Sequence, residues 1–383
     1  MVASGQEGGA HDLIDDMHQS GEMSFHPLVY WYLTFRCNLS CKHCWVESSP
    51  TVDMRQDLNT SECIDLVNKL KEVKPSMITF SGGEPLIRDD FVAIAQSVIN
   101  AGINLTIETN GTVRPLYLVK ICHFAQEAGV RCWVSISLDG GSPSTHESLR
   151  GRGTFNKTVR TIKLLVREGV EVGVQYLLTP TNLLSIPHFF NLMSDIKPTM
   201  LAFSVVYLTG RATAHTSELV LSSQQWTTAC HLIREGLRLF RGQVMVKVPP
   251  AKIPPQHLKY LMSNTRVTFL TSCSFPAIGI LPDGTLSICA LTGRKNSLIL
   301  GHYSTCEFPR ILEQDLTPLR RAYENLRVEG VCKTCIFLPS CRGGCRASAY
   351  MQSGSFFAAN PLCCELNSAG RFPMIYKATS SVE

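Results

Sequence analysis

Ten of the sixteen cysteines in this chain fall into two spaced sets, and that spacing constrains the molecule more than any other feature. The first set is Cys37, Cys41 and Cys44; the second runs Cys273, Cys289, Cys332, Cys335, Cys341, Cys345 and Cys363. Cys63, Cys122, Cys132, Cys230, Cys306 and Cys364 are scattered. A secreted chain could use so many thiols as a disulfide framework, but the amino-terminal stretch argues against secretion. Before Arg36 it holds five acidic residues and no Lys or Arg. It therefore lacks both the basic start and apolar core of a secretory signal and the arginines of a transit peptide. The expectation is a cytoplasmic protein whose thiols bind metal or serve catalysis. No apolar run approaches the ~18–20 residues of a membrane span. A net charge of +5, evenly spread over 383 residues, gives no basis for a nucleic-acid partner.

Residues 1–25 are Gly-rich, acidic and aperiodic, and read as a mobile tail. From Leu28 short β-branched and aromatic runs alternate with amphipathic stretches, the pattern of βα units on a parallel sheet. Strands are expected at Val29–Phe35, Met77–Phe80, Asn104–Glu108, Cys132–Leu138, Val170–Leu177 and Leu201–Tyr207. Helices are expected near Thr60–Val73, Asp89–Ala101, Leu116–Ala128, Thr154–Glu168 and Ile186–Ile196. Asn59 or Thr60 is placed to cap the first helix, and Asp89 or Asp90 the second. The prolines at 249, 250, 254 and 255 bracket an expected linker over 248–272. The domains are then 26–247, a cysteine-rich unit over 273–370, and a tail over 371–383. A hairpin is expected at Ile278–Leu281 and Leu286–Ile288 around Pro282-Asp283-Gly284.

The first cysteine set follows directly on the first strand. Three thiolates on one short loop can each hold one iron of a four-iron cubane and leave the fourth iron open. A structural zinc is the alternative, with His43 or a distant residue as fourth ligand. Ser81-Gly82-Gly83-Glu84-Pro85 stands at the carboxyl end of the second strand, where βα sheets place ligand sites. Its glycines allow close backbone approach, and Glu84 can accept hydrogen bonds from an ammonium group.

The Cys-x3-Cys-x2-Cys loop and the Gly-Gly-Glu-Pro turn together resemble the radical S-adenosylmethionine (SAM) superfamily. The resemblance implies an α/β fold, a partial (β/α)6 barrel with a four-iron cluster at its mouth. It implies that SAM chelates the open iron and is cleaved to methionine and a 5′-deoxyadenosyl radical that takes a substrate hydrogen. It also implies an external electron donor of flavodoxin or ferredoxin type. By the same resemblance Gly83 and Glu84 meet the methionine amine, Ser137 the ribose, Arg150 the carboxylate and His43 the adenine. Leu178 is placed for a backbone contact to adenine. A satisfied strand end and a surface cation would explain Ser137 and Arg150 without SAM, and Thr109-Asn110-Gly111 reads as a plain turn.

The second set, with Gly343-Gly344-Cys345-Arg346-Ala347 inside it, resembles the SPASM extension that follows some radical SAM barrels; one or two zinc ribbons are the alternative. The resemblance implies two auxiliary iron–sulfur clusters. Cys332, Cys335, Cys341 and Cys363 would hold the outer one, and Cys273, Cys289 and Cys345 the inner one. Seven thiols are one short of two full sets. The inner cluster either has an open iron or borrows Cys306 or Cys364; either of those two could instead donate a hydrogen atom. Cys63, Cys122, Cys132 and Cys230 read as buried inert thiols.

Anaerobic sulfatase-maturing relatives carry an Asp after the residue equivalent to Cys289; this chain has Ala290, which disfavours that activity. Only 36 residues precede Cys37, too few for an amino-terminal peptide-binding domain. The expected activity is modification of a peptide, with a separate carrier protein as a possible partner. The alternative is a tetrapyrrole, aminoglycoside or other small-molecule modifier, and a zinc-bound scaffold is the non-enzymatic one.

Overall fold

The computed structural model describes residues 26–269, 276–292, 298–325, 327–360 and 362–363. The expected tails at 1–25 and 371–383, and with them Cys273 and Cys364, lie outside the described residues.

Six parallel strands appear where the alternation places them: β1 Leu28–Thr34, β2 Met77–Gly82, β3 Leu105–Thr109, β4 Cys132–Ser137, β5 Val172–Leu177 and β6 Met200–Ser204. Between them run α1 Thr60–Leu70, α2 Phe91–Asn100, α3 Pro115–Glu127, α4 Pro143–Arg150, α5 Phe155–Arg167 and α6 Ile186–Ile196. Asn59 caps α1 in a full capping box with Glu62. The second expected cap works differently. Asp90 stands at the N-cap of α2, but its carboxylate takes Arg88 Nη2 and Thr60 Oγ1, each at 2.7 Å. It ties α1 to α2 instead of capping.

The sheet extends beyond the six expected strands. After α7 (Ser223–Gly236), β7 Gln243–Lys247 pairs parallel to β6; after α8 (Pro255–Met262), β8 Val267–Phe269 pairs parallel to β7. The stretch 248–272 is therefore no plain linker in its described part. Pro255 is the first residue of α8, a position whose missing N–H costs the helix nothing. On the other side β9 Ile278–Ile280 pairs parallel to β1, and the expected hairpin continues through β10 Thr285–Ser287 to β11 Ile299–His302. The eleven strands form one open sheet in the order β11-β10-β9-β1-β2-β3-β4-β5-β6-β7-β8. The cysteine-rich segment thus joins the barrel by backbone pairing at its first strand. A continuous helical stretch over Phe308–Glu324, single helical turns and a final helix, α9 Arg346–Ser353, complete it.

The two faces of the barrel strands do different work. Trp31, Phe80, Ile107, Val134, Ile136, Val174 and Phe203 face the helices and are fully buried with Phe91, Ile121, Ile162 and Phe189. Alternate positions, among them Ser81, Glu108, Ser135, Ser137, Gln175, Ser204 and Lys247, line a cavity on the concave face. A strand buried on both sides but polar on one is what a ligand-holding barrel needs.

Candidate functional site

One cavity of about 510 Å³ opens at the carboxyl ends of the strands, and Cys37, Cys41, Cys44, Cys289 and Cys345 all lie in its wall. Among the described residues no three Cys, His, Asp or Glu side chains meet as ligands of one ion. The sulfurs stand around a space.

The loop that carries the first three thiols is pinned on two sides. Cys37 N–H donates to Ser49 O at 3.1 Å, and Lys42 N–H to Leu149 O at 3.0 Å. From beyond β6, Arg211 donates through Nε to Cys41 O at 2.8 Å and through Nη2 to Ser48 O at 2.6 Å. Gly210 precedes it at φ +57°, and a Cβ there would fall 2.4 Å from Trp45 O, so the close approach requires glycine. Trp45 stacks on Tyr207, centroids 5.7 Å apart. Leu39 N–H and Ser48 N–H point at the sulfurs of Cys37 and Cys44 at 3.4 and 3.3 Å. Such donors support thiolate ligands. Burial, and then Glu84, push the Cys37 thiol up to about 12. Loading iron there must therefore displace protons.

Gly82 and Gly83 bring β2 against the base of this loop. A Cβ on Gly83 would lie 2.0 Å from Arg36 O, and Gly83 N–H bonds Thr34 O at 2.7 Å. Both glycines line the cavity; Glu84 does not. The Glu84 carboxylate is fully buried and accepts from Thr109 Oγ1 and Asn110 N, each at 2.8 Å, and from Leu86 N at 3.2 Å. Burial still raises it to about 7 against those donors. The expectation of Glu84 meeting an ammonium directly is corrected: its oxygens are engaged inside the fold, where they fix the turns after β2 and β3. The Thr109-Asn110-Gly111 turn does more than turn, because Asn110 Nδ2 reaches Asn38 Oδ1 at 3.0 Å and Cys37 Sγ at 3.8 Å.

Ser137, Arg150 and His43 line the same cavity. Arg150, the last residue of α4, places Nε 2.5 Å from Asp139 Oδ2. His43 Nε2 lies 3.8 Å from the same oxygen. Burial opposes the charge on Asp139, but Arg150, His43 and His146 together hold its carboxyl below the usual range. Burial and Arg150 lower His43 to about 4, so its ring is neutral near pH 7. Leu178 is turned away from the cavity, 2% exposed, with its N–H on Ser204 O at 2.8 Å. Leu177, beside it, lines the cavity and shares the inner face with Gln175.

Of the second set, Cys289 and Cys345 line the cavity, whereas Cys332, Cys335, Cys341 and Cys363 do not. Cys332, Cys335, Cys341 and Cys363 are all buried. Burial, followed by Cys332 and Cys335, lifts Cys341 to about 11; burial and all three companions act the same way on Cys363. Cys289 rises to about 12 through burial and then Cys345. Arg346, next to Cys345, is fully buried and donates to the carbonyls of Gly343, Gly344, Phe356 and Ala358. Cys306 sits apart from the cavity wall, its Sγ 3.7 Å from Leu300 O behind β11. Cys122 and Cys132 face each other at 3.5 Å between α3 and β4.

The donor set fits an iron–sulfur group: three thiols on one loop, backbone N–H groups aimed at two of them, and glycine backbone beside them. Residues 31–192 match the radical SAM superfamily. The AdoMet-dependent heme synthase of Oleidesulfovibrio alaskensis is 28% identical over 353 residues, covering 88% of this chain and 86% of that protein. The mycofactocin maturase MftC of Mycobacterium tuberculosis is 26% identical over 338 residues, covering 87% and 81%. The SAM-bound structure of SuiB from Streptococcus suis superposes with a TM-score of 0.66 at 15% identity, covering 89% of this chain and 77% of that one. Residues 31–192 are a radical SAM domain, and the chain is an enzyme. Its cofactors are accordingly a [4Fe–4S] cluster and SAM. Among the described residues no helix is long and apolar enough to cross a membrane.

Proposed function

We propose that the chain modifies a peptide by hydrogen abstraction coupled to electron transfer through a second iron–sulfur centre. The observation that carries this is the shared cavity, lined by Cys37, Cys41 and Cys44 of the first set and by Cys289 and Cys345 of the second. When bound, the first cluster supplies the electron that cleaves SAM. The chain's own residues do the rest. Gly83 presents backbone to the methionine end, Arg150 takes its carboxylate while held by Asp139, and Ser137 and neutral His43 face the ribose and the base. Cys289 and Cys345, with Cys273, hold an inner auxiliary cluster, and Cys332, Cys335, Cys341 and Cys363 an outer one. The peptide reading is supported by the MftC likeness across most of both chains. The heme synthase likeness, of similar identity and coverage, supports a tetrapyrrole substrate as the second reading. A flavodoxin or ferredoxin as donor, a separate peptide carrier and a cytoplasmic setting complete the proposal.

The test is anaerobic reconstitution. Roughly twelve irons per chain and release of 5′-deoxyadenosine from SAM are expected; zinc without sulfide would end the reading. Turnover of a precursor peptide encoded beside this chain favours the first substrate class, and turnover of a tetrapyrrole favours the second.

A further inference from the structure

Two opposite charges in the cavity wall are used by neither SAM nor the cysteines. Glu108, near the end of β3, and Lys247, the last residue of β7, both line the cavity. Glu108 Oε2 accepts a 2.7 Å bond from Ser81 Oγ. Lys247 lies beside Ser204 in the parallel register of β6 and β7 and is half-buried. Among the described residues no carboxylate comes within ion-pair range of its Nζ. The neutral groups nearby are engaged with one another, Gln175 Nε2 donating to Ser135 Oγ at 3.0 Å. Burial lowers the Lys247 ammonium, and the charge of Glu108 partly opposes that shift. An ammonium held in a protein wall without a contact counter-ion is costly, and an anion entering the cavity removes that cost.

The anion is not that of SAM, whose carboxylate is assigned to Arg150 in the proposed function, elsewhere in the same cavity wall. A single ammonium suits a single negative charge. The Glu108 carboxylate in the same cavity disfavours a doubly charged phosphate. We propose that Lys247 binds a carboxylate of the substrate and so fixes which part of it reaches the space lined by the two cysteine sets. This rests on the cavity being the substrate site. The carboxylate can come from a peptide, as a chain terminus or an acidic side chain, or from a tetrapyrrole side chain.

Calorimetric titration of SAM-loaded holoprotein without reductant tests this with two matched pairs. One is coproporphyrin III against its tetraamide; the other is acetyl-Gly-Ala-Phe as free acid against its amide. One acid is expected to bind about tenfold or more tightly than its neutral partner, and the pair that discriminates names the source. Lys247→Met should lose that preference, and Lys247→Arg should keep it. Absence of an acid preference in both pairs, or its persistence in Lys247→Met, overturns the proposal. The wider functional reading fails separately, in wild-type protein that releases no 5′-deoxyadenosine, because the titration requires no turnover.

Discussion

The barrel and the cysteine-rich extension share one sheet yet are held together by different chemistry. In the barrel, Trp31, Phe80, Ile107, Val134 and Phe203 pack on Phe91, Ile121 and Phe189 with almost no exposed surface. Burial of each such side chain stabilises by about 1.5–3 kcal/mol. In the extension one buried cluster consists of Cys335 and Cys363, with Ala251, Val331 and Phe337 partly buried against it. The first part of the extension shares the barrel's core through Ile280, Leu286, Phe308 and Leu316, but over residues 327–363 thiols stand where the barrel has Leu, Ile and Phe. The barrel can form on apolar packing, whereas residues 327–363 depend on what their thiols bind.

The comparison is sharpest when one cysteine is removed from each region. Cys41→Ala should abolish SAM cleavage and lower the iron content by about four per chain, leaving iron in the extension. Cys341→Ala should remove about four irons as well, but make residues 327–363 protease-sensitive while the barrel keeps its circular dichroism. Loss of barrel structure in that variant would break the comparison. Arg346→Met comes next. It strips donors from four carbonyls, two buried and two part-buried, costs about 3 kcal/mol, and should lower the thermal midpoint of the extension without moving that of the barrel.

The smallest effect lies inside the barrel. His146 is lowered to about 4 by burial and then Arg150, and its Nδ1 accepts from Asp139 N–H at 3.0 Å. A depressed histidine contributes stability that is complete above the unfolded value near 6.5 and is lost as pH falls through about 4. That contribution is at most about 3 kcal/mol. His146→Asn keeps an acceptor for Asp139, and should flatten the fall of the urea midpoint between pH 7 and pH 4.5. An unchanged slope would show that His146 does not carry it.

Much of this was legible in the chain. The six barrel strands and their helices follow from alternation and amphipathic period, and the hairpin from its Pro-Asp-Gly turn. β7 and β8 were missed because strands of five and three residues are too short for alternation to stand out in the chain. α4 was missed because its sequence, Pro143–Arg150, is mostly polar; it is helical because His146 and Leu149 are buried by neighbours distant in sequence. At the site, the cysteines and Gly83 are marked by spacing alone. Arg211 and Lys247 are single cations on unremarkable segments, and nothing in their neighbourhood in the chain distinguishes them.

The sequence by itself determined the sulfur donors, the parallel architecture and the inward face of each strand, because these are written in local spacing and in a period of two. Only the tertiary structure decided which groups serve the cavity. It turned Glu84 into the interior, left Lys247 without a contact counter-ion among the described residues and put Cys289 and Cys345 into the cavity that the Cys37–Cys44 loop lines. Those outcomes depend on how distant strands register and how densely the space between them fills, which no local pattern encodes.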